Sequence, residues 1–291
     1  MNLSNQSDTA PIRRILLKNP QQAFRSQEFV DREWERLFFT ARPDFKKAVR
    51  EYDAFQALLE KAGIETLILP ENDQTSLDSL YPRDTAIMTA KGAILCQMGK
   101  AARQHEPLAT GAYLDRIGVP VLGQIEGHGK IEGGDLTWLN PRTVCVAHGY
   151  RTNREGIRQL IDFLGDLVDE VLVMDAPHWN GPTDVFHMMS VLSPVDTNKL
   201  LVYSRLMTVP FRNALLDRDF QLIEVPDEEW ESQGCNVLAV APGHCIAVEG
   251  NPITRQRLEK AGCQVEVFLG QEISVKGCGG PTCLTRPLER G

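Results

Sequence analysis

An α/β fold is predicted for this 291-residue chain by three observations. Short β-branched runs alternate with amphipathic helical stretches. The alternation recurs five times, and no Pro-, Gly- or Ser-rich linker splits the chain. One domain is therefore expected over residues 13–291, behind a polar segment, 1–12, that reads as disordered. Hydrophobic residues make up 42% and charged residues 24%, an ordinary globular balance. A chain this long buries about three quarters of its unfolded surface, so it needs neither metal nor disulfide to fold.

The elements follow in order. A first strand at Arg14-Ile15-Leu16-Leu17 leads through Pro20 into a long helical stretch, 28–62, in which Phe45, Val49, Tyr52, Phe55, Leu58 and Leu59 recur at helical spacing. Gly63 ends it, and residues 65–70 read as the next strand. The same cassette returns as strand 93–96, helix 110–117 and strand 119–122, and then as 143–147, 153–164 and 170–173. Two more follow: 199–203, 211–216 and 221–225, then 245–248, 252–261 and 265–268. Five such units, at a spacing of about 45 residues, fit either a closed arrangement with its loops gathered on one face or an ordinary open sheet.

Composition excludes several functions. A net charge of −8 offers no basic footprint for nucleic acid. No apolar run is long enough for a transmembrane helix, and the opening residues Met1 to Asp8 contain no signal-like apolar segment. The seven scattered cysteines read as reduced thiols, which places the protein in the cytoplasm. Cys96, Cys145 and Cys245 lie in apolar runs and are expected in the core, and no C-x2-C pair suggests zinc. No phosphate-cradling glycine motif follows a strand, so no cofactor is expected.

Three polar clusters sit between the cassettes, and a cysteine turn closes the chain. The clusters are Tyr81-Pro82-Arg83-Asp84-Thr85, Glu132-Gly133-Gly134-Asp135, and Asp184-Val185-Phe186-His187-Met188-Met189, the last a histidine in a strand-like run. The turn is Gly277-Cys278-Gly279-Gly280-Pro281-Thr282-Cys283, whose glycines permit positive φ and close approach. Each cluster alone reads equally as a solvated turn or a buried structural group.

In this order the four motifs resemble the guanidine-modifying superfamily of dimethylargininases, arginine deiminases and amidinotransferases, over residues 15–288, and they are most similar to dimethylargininase-like proteins. The resemblance implies a five-bladed α/β propeller of ββαβ repeats with the active site at its centre. It also implies a guanidino small-molecule substrate, arginine or a methylarginine, with no metal; a homodimer is one assembly it allows. Cys283 would attack the guanidinium carbon, His187 would serve as acid and then base, and Glu132 and Asp84 would hold the guanidinium nitrogens. Arg151, and Arg103 as a second arginine, match positions that grip the substrate carboxylate, and Asp135 joins the substrate-binding set. The apolar Met188 and Met189 stand where deiminases usually carry an Asp, which favours a methylated nitrogen and hence methylarginine hydrolysis to citrulline and an alkylamine. Arginine deiminase or dihydrolase chemistry is the alternative, ahead of amidine transfer or a non-catalytic guanidinium binder.

Overall fold

Four of the five strand–helix units begin with a hairpin, and all five return through a helix to their last strand. The computed structural model describes residues 5–184 and 186–291. The first unit holds β1 (Ile12–Leu17), the helical turn α1 (Pro20–Ala23), α2 (Gln27–Glu33), α3 (Phe45–Lys61) and β2 (Glu65–Ile68). The second holds β3 (Ala86–Thr89), β4 (Gly92–Leu95), α4 (Glu106–Arg116) and β5 (Val121–Gln124). The third holds β6 (Leu136–Asn140), β7 (Thr143–His148), α5 (Arg154–Leu164) and β8 (Glu170–Asp175). Then come β9 (Leu192–Asp196), β10 (Lys199–Val202), α6 (Val209–Leu216) and β11 (Gln221–Glu224), followed by the turn α7 (Asp227–Trp230). The last unit holds β12 (Leu238–Ala241), β13 (His244–Val248), α8 (Pro252–Lys260) and β14 (Gln264–Phe268), and β15 (Thr285–Arg290) ends the chain.

These strands form five three-stranded sheets among the described residues. In four of them a hairpin pairs the first two strands antiparallel, and the helix carries the chain back so that the third strand pairs parallel to the second. The remaining sheet has the same pattern assembled from both ends of the domain: β15 lies antiparallel to β1, with Leu17 opposite Thr285, and β1 lies parallel to β2. That closure keeps Cys283 two residues ahead of a strand bonded on its other side to the start of the domain.

The sequence located the central and last strand of each unit but placed no strand at β6, β9, β12 or β15. The expected helix over 28–62 is in fact two. Ser26 caps α2 and Asp44 caps α3, its Oδ1 accepting from the Lys47 amide at 2.8 Å. Between them Phe38 takes a positive φ of 63°, and Pro43 precedes the second cap. The tail expected to be disordered is also corrected. Residues 1–4 lie outside the described set, but Gln6 and Asp8 are buried. Gln6 donates to the carbonyls of Pro141 and Leu167, and Asp8 pairs with Arg83, so hydrogen bonds rather than apolar contacts hold this segment.

The apolar interior divides into clusters between helices and sheets, one of them seating Tyr52, Phe55 and Leu59 of α3 against Ile246, Val248 and Phe268. Cys96, Cys145 and Cys245 are fully buried, as their apolar runs suggested, and all seven cysteines are free. No helix among the described residues is long and apolar enough to cross a membrane.

Candidate active site

Each of the five sheets is approached by a loop whose last residues before the first strand carry a buried polar side chain. Asp84 stands just ahead of β3, Glu132 and Asp135 ahead of β6, His187 ahead of β9, Asn236 ahead of β12 and Cys283 ahead of β15. All are at most 7% exposed. Short turns fix three of them: Pro82–Thr85 contains Asp84, Gly133–Asp135 follows Glu132, and Met188–Ser190 follows His187. His187 was read inside a strand-like run; it instead opens this turn, its amide bonded to the Ser190 hydroxyl at 3.1 Å, while Val185 lies outside the described residues.

Asp84, Glu132 and His187 each bring one donor or acceptor atom within 4.8 Å of the others. His187 Nε2 lies 2.7 Å from Glu132 Oε2, and Nδ1 lies 3.8 Å from Asp84 Oδ1. Gly134 makes this possible. Its amide donates to Asp84 Oδ1 at 2.9 Å, and a Cβ there would sit 2.6 Å from both that oxygen and His187 Nδ1. Two acids against one imidazole are close enough to hold a metal ion, yet they match equally the planar, multiply donating edge of a guanidinium.

The electrostatics are those of a buried, acid-rich cluster. Burial depresses the His187 pKa, but Asp84, Asp135 and the hydrogen-bonded Glu132 outweigh it and raise the value to about 9. Burial pushes Glu132 up, and the His187 hydrogen bond with Arg151 and Arg103 pulls it below the ordinary range. Asp135 is raised to about 6 by burial. Cys283 is raised to about 11, first by burial and then by the charge of Asp84. Opposing this, Asn236 Nδ2 donates to its sulfur at 3.3 Å, with Thr282 Oγ1 at 3.8 Å.

Asn236 is the residue that the sequence reading missed. Its Oδ1 accepts from both the amide and the hydroxyl of Thr282, at 3.0 and 2.8 Å, and Gly280 has no room for a Cβ against it. It therefore clamps the cysteine turn and touches the sulfur at once. The available signal was positional: Asn236 precedes its sheet as Asp84 and Cys283 precede theirs. The other cysteine of the turn, Cys278, takes a positive φ of 57° and lines a cavity with Trp179, Trp230 and Asn236.

The remaining expected residues divide. Arg151 is buried with Nη1 3.4 Å from Glu132 Oε2. Asp135 faces the scaffold, accepting from the Thr152 hydroxyl at 2.6 Å and the Met188 amide at 3.1 Å, and so ties two approach loops together. Arg103, expected to grip a carboxylate of the substrate, is committed within the protein. Nη1 meets Asp84 Oδ2 at 2.5 Å, Nε and Nη2 meet Glu106 Oε2 at 3.0 and 2.8 Å, and Nη2 also donates to the Tyr81 carbonyl at 2.8 Å. Three buried acceptors nearby claimed its fork first. Of the methionines, Met188 packs in the apolar cluster with Leu192 and Val202, and Met189 lines a small cavity beside Arg83.

With the geometry in place, known proteins can be compared. The family described as N,N dimethylarginine dimethylhydrolase, eukaryotic, matches residues 28–290. N(G),N(G)-dimethylarginine dimethylaminohydrolase of Pseudomonas aeruginosa is 26% identical, over 84% of this chain and 89% of its own. Arginine deiminase of Listeria welshimeri is also 26% identical, over 85% and 74%. The solved structure of the Pseudomonas aeruginosa protein, a cysteine-to-serine mutant complexed with citrulline, superposes with a TM-score of 0.76 at 23% identity, covering 94% of this chain and 98% of that one. The fold is thus the mixed α/β fold of these proteins, and the chain belongs to the N,N dimethylarginine dimethylhydrolase family, an amidine hydrolase of the dimethylargininase and arginine deiminase type.

Proposed function

We propose that the five sheets are blades of an α/β propeller around a central chamber, and that the chamber hydrolyses an N-omega-methylated arginine to citrulline and an alkylamine. The observation that carries this reading is the meeting of Asp84, Glu132 and His187, with the charge of Asp84 felt by a buried, Asn236-bonded Cys283, each residue standing ahead of a different sheet. Family membership supports the substrate, as does the turn Met188–Ser190, which puts no carboxylate after His187 to satisfy a second unsubstituted terminal nitrogen.

Glu132 and Asp84 accept hydrogen bonds from the guanidinium, and the Cys283 thiolate adds to its central carbon to form a C–S bond. His187, held as imidazolium by those same acids, gives its proton to the departing amine as the C–N bond breaks, leaving a thiouronium. His187 then takes a proton from water attacking that carbon, the C–S bond breaks, and citrulline leaves. Arg151 holds the substrate carboxylate, Arg103 acts as a positioning residue for Asp84, and Asp135 positions the His187 turn. No step requires a cofactor.

Arginine deimination is the second reading, favoured by a deiminase relative of equal identity. Citrulline release from arginine, monomethylarginine and asymmetric dimethylarginine, measured in parallel with Cys283→Ser protein as control, separates the two. Turnover of the methylated substrates alone supports the leading reading, a preference for arginine replaces it with deimination, and activity surviving in Cys283→Ser overturns the mechanism.

A further inference from the structure

Beside the chamber lies a buried cluster of cations that the proposed reaction does not use. Arg83, Arg286 and Arg290 are each at most 4% exposed, and the carboxylate packed among them is that of Asp8. Both Asp8 oxygens are occupied: Oδ1 accepts from Arg83 Nη2 at 2.7 Å and Oδ2 from the Trp138 amide at 2.8 Å. Arg286 Nη1 donates to the Ala86 carbonyl at 2.8 Å, and Arg290 Nη1 donates to the carbonyls of Ala10 and Ala239. Four guanidinium nitrogens, Arg83 Nε and Nη1, Arg286 Nε and Arg290 Nη2, are buried with no partner among the described residues. Asp8, Arg83 and Arg290 line a cavity of about 10 Å³ with Met189, Ser193 and Thr282, room for about one small sphere.

Buried charges are ordinarily paired, and buried donors bonded. Here three cations share one anion, and three of the four unbonded nitrogens belong to Arg83 and Arg290, which wall the cavity. Water would satisfy the donors but leave the excess charge; a monovalent anion answers both. We propose that this cavity is a binding site for one small monovalent anion of halide size, held by the free N–H groups of Arg83 and Arg290. The repulsion the anion relieves is visible in Arg290, whose pKa burial and the nearby Arg83 pull down to about 10 despite Asp8. Its neighbours connect it to the chamber: Thr282 precedes Cys283, Asp84 follows Arg83, and the Arg83 amide donates to the Cys283 carbonyl at 3.4 Å.

The test uses the full chain with bromide and chloride as probes. Melting is measured in chloride and in gluconate at matched ionic strength, and crystals grown in bromide are examined by anomalous diffraction. An upward shift of about 2–4 °C in chloride is expected for a site of modest affinity in a chain of this size, with a bromide peak against Arg83 and Arg290. Asp8→Asn removes the competing anion and should enlarge the halide shift, whereas Arg290→Gln should shrink it. Bromide only at surface positions, no shift in halide, or equal shifts in wild type and both variants would each overturn the site; the diffraction arm stands even where a variant does not fold.

Discussion

Cys283 is predicted to rest as a thiol and to become a nucleophile only when a cation fills the chamber. With its pKa at about 11, ionising it at pH 7 costs about 5 kcal/mol, taking four units at 1.36 kcal/mol each, so about one molecule in 10⁴ carries a thiolate. An amidinium held about 4 Å from the sulfur contributes about 4 kcal/mol at an effective dielectric of 20, but only about 1 kcal/mol in bulk water. The buried walls of Asp84 and Glu132 put the site nearer the first case, so the bound cation lifts the thiolate fraction to about one in ten. The assay compares alkylation by neutral iodoacetamide with alkylation by 2-chloroacetamidine, each measured against a free-cysteine peptide. The cationic reagent should gain about 10³-fold at pH 7, and the iodoacetamide rate should keep climbing to about pH 11. An iodoacetamide rate that levels off near neutrality, or no advantage for the amidinium, would show a resting thiolate and refute the reasoning.

Three further outcomes follow from the same geometry. The pair of His187, at about 9, and Cys283, at about 11, must hold a single shared proton to react, so kcat/KM should rise with pH to about 9 and fall beyond about 11, as a pH–rate profile will show. Gly134→Ala places a methyl 2.6 Å from Asp84 Oδ1 and His187 Nδ1, and should cut kcat/KM by about 100-fold while circular dichroism stays unchanged. Asn236→Ala removes the Nδ2 donor to the Cys283 sulfur and Thr282→Val removes the hydroxyl 3.8 Å from it, so each should move iodoacetamide alkylation to higher pH, and an unchanged profile in both would contradict this account of the sulfur's surroundings.

Much of this architecture was legible in the chain because strands and helices with one apolar face advertise themselves by period. The central strands β4, β7, β10 and β13 lie buried as near-continuous apolar runs, and each was found. The strands that open each unit were harder. β9 and β15 contain Pro194 and Pro287, and β6 joins its turn directly at Leu136, so polar turn and strand merge into one reading. The site motifs were visible because Gly133-Gly134 and the cysteine turn concentrate unusual residues. Asn236 was not, since a lone asparagine between Cys235 and Val237 has no local signature and gains meaning only from its place ahead of β12. Arg103 shows the opposite failure: sequence supplies the cation, with Glu106 three residues on, but not the competing acceptors Asp84 and Tyr81, which only the fold brings to it.

The most direct test of the account is to look for the covalent intermediate. Enzyme mixed with monomethylarginine or asymmetric dimethylarginine and quenched in acid within the first turnovers should carry an added amidino-substrate mass, and fragmentation of the peptide spanning Gly277 to Arg286 should place it on Cys283 rather than Cys278. Turnover with an unmodified Cys283, or with the added mass on Cys278, would contradict the central claim.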